Sequence, residues 1–270
     1  MKKLKLVFQD SFFDKLLFIF LPILMLFFAS AAFAQLPRYY RQQPKNNEGD
    51  LMTVNMYFGG HNTAGDLSDR FGDHASAGLG LDYITAKGFI MGVQGSFYFG
   101  TKVREDVIAG LRNESGLIFG NLGGIADIQL RQRGLYVGGH VGKLFRLKKE
   151  LRSGIRATAG AGFYQHKIRI QDDPLVSVAL LSSEYKKGYD RLSNGLGFTQ
   201  FVGYQYLGKI RRVNFLVGLE LTEGFTKNRR NFNFDTRSAD TKTRFDFAYG
   251  FRVAWLLPFY IGEEGESIRY

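Results

Sequence analysis

The stretch 245-FDFAYGFRVAWLLPF-259 alternates over its whole length. Its odd positions are Phe245, Phe247, Tyr249, Phe251, Val253, Trp255, Leu257 and Phe259. Between them stand Asp246, Ala248, Gly250, Arg252 and Ala254, then Leu256 and Pro258. A period of two is the strand period, so one face of this segment is apolar and largely aromatic, the other small or polar. A second sheet layer or hydrocarbon could cover such a face. In a chain that opens with an export signal, hydrocarbon fits better, and the segment reads as a stave of a membrane barrel.

The export signal is read at residues 1–34. Lys2, Lys3 and Lys5 give a basic start, Leu16 to Phe28 is apolar apart from Pro22, and Ala32 and Ala34 mark a small-residue cleavage site. Cleavage is expected between Ala34 and Gln35. The apolar run is short for a spanning helix, which needs about 20 residues. The chain has no cysteine. Disulfides, thiolate metal sites and a lipid anchor on cysteine are therefore excluded.

No other apolar run approaches the length of a membrane helix, so a membrane-embedded chain has to cross by strands in a closed barrel. Glycine is 33 of 270 residues and aromatics are 15%, a mix that favours strands and turns over helices. Eight strands are predicted: Leu51–Gly60, His74–Thr85, Phe89–Gly100, Gly134–Leu147, Ser153–Ile170, Leu196–Leu207, Arg212–Phe225 and Phe245–Phe259. The facing of Leu196–Leu207 is left open by its pattern. The connections alternate. Ala86–Gly88, Lys148–Arg152 and Gly208–Arg211 are short, whereas His61–Asp73, Thr101–Arg133, Gln171–Gly195 and Thr226–Thr243 are long. Short inner turns against long outer loops is the rule for outer-membrane barrels, and an even strand count returns both termini to the periplasm. That parity assigns Phe119–Leu130 to the second outer loop, as an extension of the fourth strand. Short helices are expected at Glu105–Arg112 and Leu175–Tyr185.

The fold class is thus all-β: a transmembrane, antiparallel, up-and-down barrel of eight strands with long extracellular loops. Its divisions are a signal peptide (1–34), a flexible leader (35–50), the barrel (51–260) and an acidic tail (261–270). Eight strands enclose side chains or one small ligand, not a wide pore.

Net charge is +11. The signal carries four lysines and two aspartates, which leaves +9 on the mature chain. In an exported barrel this favours outer-membrane lipid and lipopolysaccharide phosphates as partners, and not nucleic acid. The inward charged positions are Asp82, Arg156, Glu220, Asp246 and Arg252, with His140. Charges in a narrow barrel must be compensated, and Glu220 and Arg252 are expected to pair. They read as a structural plug, or as a gated polar path or an anion site. Leu175, Val176, Val178, Leu180 and Leu181 are unusually apolar for an outer loop, and read as a lid over the mouth or a contact for a partner. His61, His74 and His166 fall near outer strand ends, with Asp66, Asp69, Asp73, Asp172 and Asp173 close in sequence. A His–Asp pair there could activate water, but no nucleophile motif accompanies it. No catalytic residue, metal site or cofactor is assigned.

The chain resembles the small outer-membrane barrels of the OmpA, OmpX and OmpW kind. The likeness lies in the signal at Met1–Ala34, the alternation of Phe245–Phe259 and the loop asymmetry, and it spans Leu51–Tyr260 as architecture. Gly188–Asn194 (GYDRLSN) and Phe201–Leu207 (FVGYQYL) are similar to uncharacterised members of that type. The resemblance implies a fold and a location, and carries no activity. A non-enzymatic scaffold, or a subunit of an outer-membrane assembly or secretion complex, is expected. The alternatives are a narrow conduit or ligand carrier around Arg252 and Glu220, and a rim-site hydrolase.

Overall fold

A computed structural model describes residues 49–147, 152–173, 175–208 and 213–261. The signal, nearly all of the leader, most of the turn Lys148–Arg152 and all of the tail after Ile261 lie outside the described residues. The strands are β1 (Asp50–Gly65), β2 (His74–Ile84) and β3 (Phe89–Gly100). A small hairpin of β4 (Ile118–Phe119) and β5 (Ile125–Ala126) lies within the second outer loop. Then follow β6 (Gln129–Arg146), β7 (Gly154–Gln171), β8 (Ser193–Leu207), β9 (Asn214–Asn228) and β10 (Thr243–Ile261). All but the hairpin close into one eight-stranded antiparallel barrel. The stave read first, within β10, closes the wall against β1, where Trp255 faces Met56.

The parity read in the sequence is the parity of the wall. Met56, Leu79, Val93, Val137, Phe163, Leu219 and Trp255 are exposed, whereas Asn55, Asp82, Gln94, Tyr136, Tyr164, Glu220 and Arg252 are buried. β8 resolves as Thr199, Phe201 and Gln205 inward, Leu196 and Val202 outward. A soluble monomer does not leave a continuous apolar belt on every strand; the belt is a lipid-facing surface. On β6 it runs from Leu135 to Phe145, broken at Lys143, whose ammonium lies 4.1 Å from the Phe89 ring centroid. Ten residue steps of ~3.3 Å, tilted by roughly 40°, give about 25 Å of height, the apolar band of such barrels.

The described inner turn is tight. At the β2–β3 turn, Gly88 takes φ 81° and donates its N–H to the Thr85 carbonyl at 2.8 Å. A β-carbon there would meet the Leu144 carbonyl at 2.7 Å, so glycine is required twice over.

Two expectations for the outer loops change. β1 runs on to Gly65, and a five-residue helix α1 (Asp66–Arg70) fills the connection; it is too short to show a helical period. Glu105–Arg112 and Leu175–Tyr185 do carry short helices, but only as 3-10 segments at Ala109–Leu111 and Ala179–Leu181, with a third at Tyr185–Gly188. Gly110 and the β-branched Val176 and Val178 weaken any longer helix, and tertiary packing takes their side chains. Phe119–Leu130 stays outside the barrel until β6 starts at Gln129.

Candidate functional site

The lumen is built in layers, each fixed by inward residues of several strands. At the turn end, Leu51, Ile84, Ile90, Leu144, Leu207, Leu216 and Leu256 pack into an apolar floor. Above it, Asp82 is wholly buried at 0% exposure. His140 Nε2 lies 2.7 Å from Asp82 Oδ1, and Arg156 Nη1 is 2.6 Å from Oδ2. Asn55 Nδ2 donates to the same Oδ2 at 2.6 Å. Gly92 leaves the room: a β-carbon on it would sit 2.6 Å from Asp82 Oδ1 and 2.9 Å from His140 Cε1.

At mid-height Arg252 on β10 pairs with Glu220 on β9. Its Nη1 also donates to Gln94 Oε1 at 3.0 Å, and its guanidinium lies 4.1 Å from the Tyr57 ring centroid. A charge flanked by an anion, an amide oxygen and an aromatic face is well compensated. Between the two charged layers a cavity of about 10 Å³ is lined by Asn55, Tyr57, Gln94, His140, Arg156 and Arg252, among others. That is one water position. Next come Tyr98, Tyr136 and Tyr164, packed together. Above them His166 Nε2 meets Asp246 Oδ2 at 2.8 Å, which also accepts from Thr226 Oγ1 at 2.6 Å.

The outer loops form a cap with its own core. Leu67 and Phe71 from loop one, Val107, Ile108, Ile118, Ala126 and Ile128 from loop two, and Leu181 and Tyr189 from loop three pack onto Ile168 and Ile170 of β7. Glu105 bridges Arg70 and Arg191, each at 2.8 Å. Arg191 reaches on to Asp235 of loop four at 2.5 Å. Burial pushes the Glu105 carboxyl up, but the charges of Arg70 and Arg191 outweigh it and hold it below its usual value. At the loop-one rim, Lys242 and the Phe245 N–H both donate to Asp66, which lowers its carboxyl pKa.

No family model and no curated protein matches the sequence. Solved structures give likenesses of fold. Ail, the attachment invasion locus protein of Yersinia pestis, is 12% identical over 78% of this chain and 99% of its own, with a TM-score of 0.37. Neisserial surface protein A is 11% identical over 76% and 99%, TM-score 0.37. OprG from Pseudomonas aeruginosa is 12% identical over 82% and 100%, TM-score 0.34. All three are eight-stranded outer-membrane barrels. Likeness at this level lends the chain no residue and no activity.

The six inward positions singled out in the sequence thus occupy three groups: Asp82, His140 and Arg156; Glu220 and Arg252; and Asp246 with His166 near the mouth. In the apolar loop, Leu181 is buried in the cap with Val176 and Val178 against it, whereas Leu175 and Leu180 point outward at 91% and 52% exposure. His61, His74 and His166 do stand toward the outer strand ends, but they are buried in the lumen and not open at the rim. His61 meets Ser76 at 2.9 Å, while Asp73 and Asp172 engage Lys102 and Lys186. The signal was available. His61 has the parity of Tyr57, His74 that of Ser76, and His166 that of Tyr164. Ending the first strand at Gly60 hid the first of these.

Proposed function

We propose that this protein is a non-enzymatic binding scaffold of the Gram-negative outer membrane, exported by its N-terminal signal, with an ordered extracellular cap as its working surface. The cap core carries this reading. Long loops that merely connect strands do not bury an apolar core of their own. The packed lumen supports it too, since an apolar floor, compensated charge layers and a tyrosine layer occupy it, and the cavity between the charged layers holds about one water.

One feature of the cap points to a partner outside. The β4–β5 hairpin is tied to loop three through the Asn121 N–H to the Ser177 carbonyl and the Ala179 N–H to Asn121 Oδ1, both 2.9 Å. Around that junction Phe119, Leu122, Ile125, Leu175 and Leu180 are exposed, Leu122 fully so. This apolar tip favours the version in which the barrel is a subunit or receptor.

Pull-down from mild detergent tests the proposal. A partner retained by the native chain and lost from a Leu122→Asp, Leu175→Asp variant is the expected result. A chain that never co-purifies with a partner overturns the subunit version. Planar bilayers test the alternative: no steady conductance is expected, and a conductance abolished by Arg252→Ala would favour a conduit.

A further inference from the structure

The outward face of β6 and β7 carries charge that neither lumen nor cap uses. The register sets Val137 opposite Phe163, Leu135 opposite Gln165, Arg133 opposite Lys167, Arg131 opposite Arg169, and Gln129 opposite Gln171. All of these are odd positions, the parity of the lipid-facing wall. Like charges directly opposite on antiparallel strands repel, and here two such rungs are stacked.

Among the described residues, none of the four cations is ion-paired with a carboxylate. Arg131 donates to Gln171 Oε1 at 3.0 Å and Gln129 Oε1 at 2.5 Å, and Arg133 to the Gln132 carbonyl at 2.7 Å. These neutral partners hold the guanidiniums in place without cancelling their charge. The nearby acids are engaged: Asp172 with Lys186, Asp173 with the Leu175 and Asp127 N–H groups, and Asp127 with the Gln129 amide. Elsewhere on the rim Lys102 pairs with Asp73, Lys242 with Asp66 and Arg244 with Asp240, while Arg104 and Arg229 hold neutral partners but stand singly, not in facing like-charged rungs.

Height decides which anion suits these charges. Leu135 is the outermost apolar residue of the β6 belt, and Arg133 stands two residues beyond it. That is roughly 7 Å along a tilted strand, and Arg131 is roughly 14 Å along it, so the first rung sits at the inner edge of the headgroup zone and the second toward its outer side. Arginine and lysine clusters at that level suit phosphate oxygens. We propose that Arg131, Arg133, Lys167 and Arg169 bind the phosphate groups of a phosphorylated glycolipid of the outer leaflet. Leu135, Val137 and Phe163 lie directly below, where its acyl chains would run. So does Phe97 of β3, opposite Leu135 and stacked on Phe99. A soluble anion would have no use for that surface. The site rests on the membrane-barrel reading.

The test uses the full mature chain refolded into zwitterionic nanodiscs doped with diphosphorylated lipid A or with its dephosphorylated form. Lipid retained per barrel is read by mass spectrometry. Preferential retention of the diphosphorylated form is expected, together with at least a ~10-fold loss in an Arg131→Gln, Arg133→Gln, Lys167→Gln, Arg169→Gln variant. Equal retention of both lipid forms by the native chain overturns the proposal, and this arm needs no variant. Selective retention of a sulfated polysaccharide in place of the lipid overturns it as well. Heat-modifiable gel migration keeps the two readings apart. A native chain that runs alike boiled and unboiled sinks the barrel itself, whereas a folded band without lipid preference sinks only the site.

Discussion

Asp82 concentrates the cost of a polar interior on one residue. It faces His140, Arg156 and Asn55 with no exposed surface. Removing one partner of a buried ion pair costs more than the pair contributes, because the other charge is left stranded. Arg156→Ala is therefore expected to destabilise the barrel by about 3–5 kcal/mol, read as a lower urea midpoint for the chain folded in phosphatidylcholine bilayers. Glu220→Met should be similarly damaging, and adding Arg252→Met should recover most of the loss, since the pair is then replaced by apolar groups of like volume. A double variant as weak as the single one would show that Arg252 is not stranded by the first change. Gly92→Ala forces a β-carbon against Asp82 and His140 and should cost about 1–3 kcal/mol in the same assay. The sequence announced which residues face inward, because parity is local. It announced one pair, Glu220 with Arg252 on neighbouring strands, but not the grouping of the others. Asp246 is six residues from Arg252, yet it pairs with His166 across the mouth, a matter of strand stagger that no single segment contains.

Strands were legible where the two faces differ sharply in polarity. In β10 aromatics stand against Asp246 and Arg252, and in β3 Phe97 and Phe99 against Gln94 and Ser96. β8 was opaque because Phe201 faces the lumen beside Arg252 while Gln200, Tyr204 and Tyr206 take the other face. Aromatics on both faces erase the contrast that a period of two depends on. The outer loops were opaque for a different reason. Their apolar residues are held by contacts between loops, so each segment alone has neither helical nor strand period. Placement of the lipid belt on β6 makes an element-scale prediction. Val141, 65% exposed, lies near mid-belt, and Val141→Arg is expected to cost about 2–4 kcal/mol of bilayer folding stability. At Leu135, near the interface, the same substitution should cost about 0–1 kcal/mol. Equal costs at the two depths would mean that the belt is set wrongly against the membrane.

At the largest scale the described residues form a wall bearing a cap, and the two are stabilised by different forces. The wall is held by a closed hydrogen-bond ladder, which does not titrate, together with ion pairs buried in the lumen. The cap depends on a modest apolar core and on Glu105, which ties loop two to Arg70 of loop one and Arg191 of loop three. Glu105 titrates below its usual 4.5 in the folded cap. A carboxyl whose folded pKa is lowered contributes its full stabilisation above the unfolded pKa, and loses it as pH falls through the lower folded value. Asp66 and Asp240 are lowered too, by hydrogen bonds from Lys242 and the Phe245 N–H at Asp66, and at Asp240 by Arg244 against the opposing effect of burial. All three carboxyls therefore loosen the cap in the same direction. Hydrogen exchange on the folded chain in micelles should show loops one to three protected at pH 7 and losing protection below about pH 4, while β6 to β10 stay protected throughout. Glu105→Gln should bring part of that loss to pH 7 and shrink the remaining change on acidification. If loops and strands lost protection together, or if Glu105→Gln left the acid response of the loops intact, the cap would not be held by this bridge. Its surface would then have to be treated as part of the wall and not as a separate, ordered platform for binding.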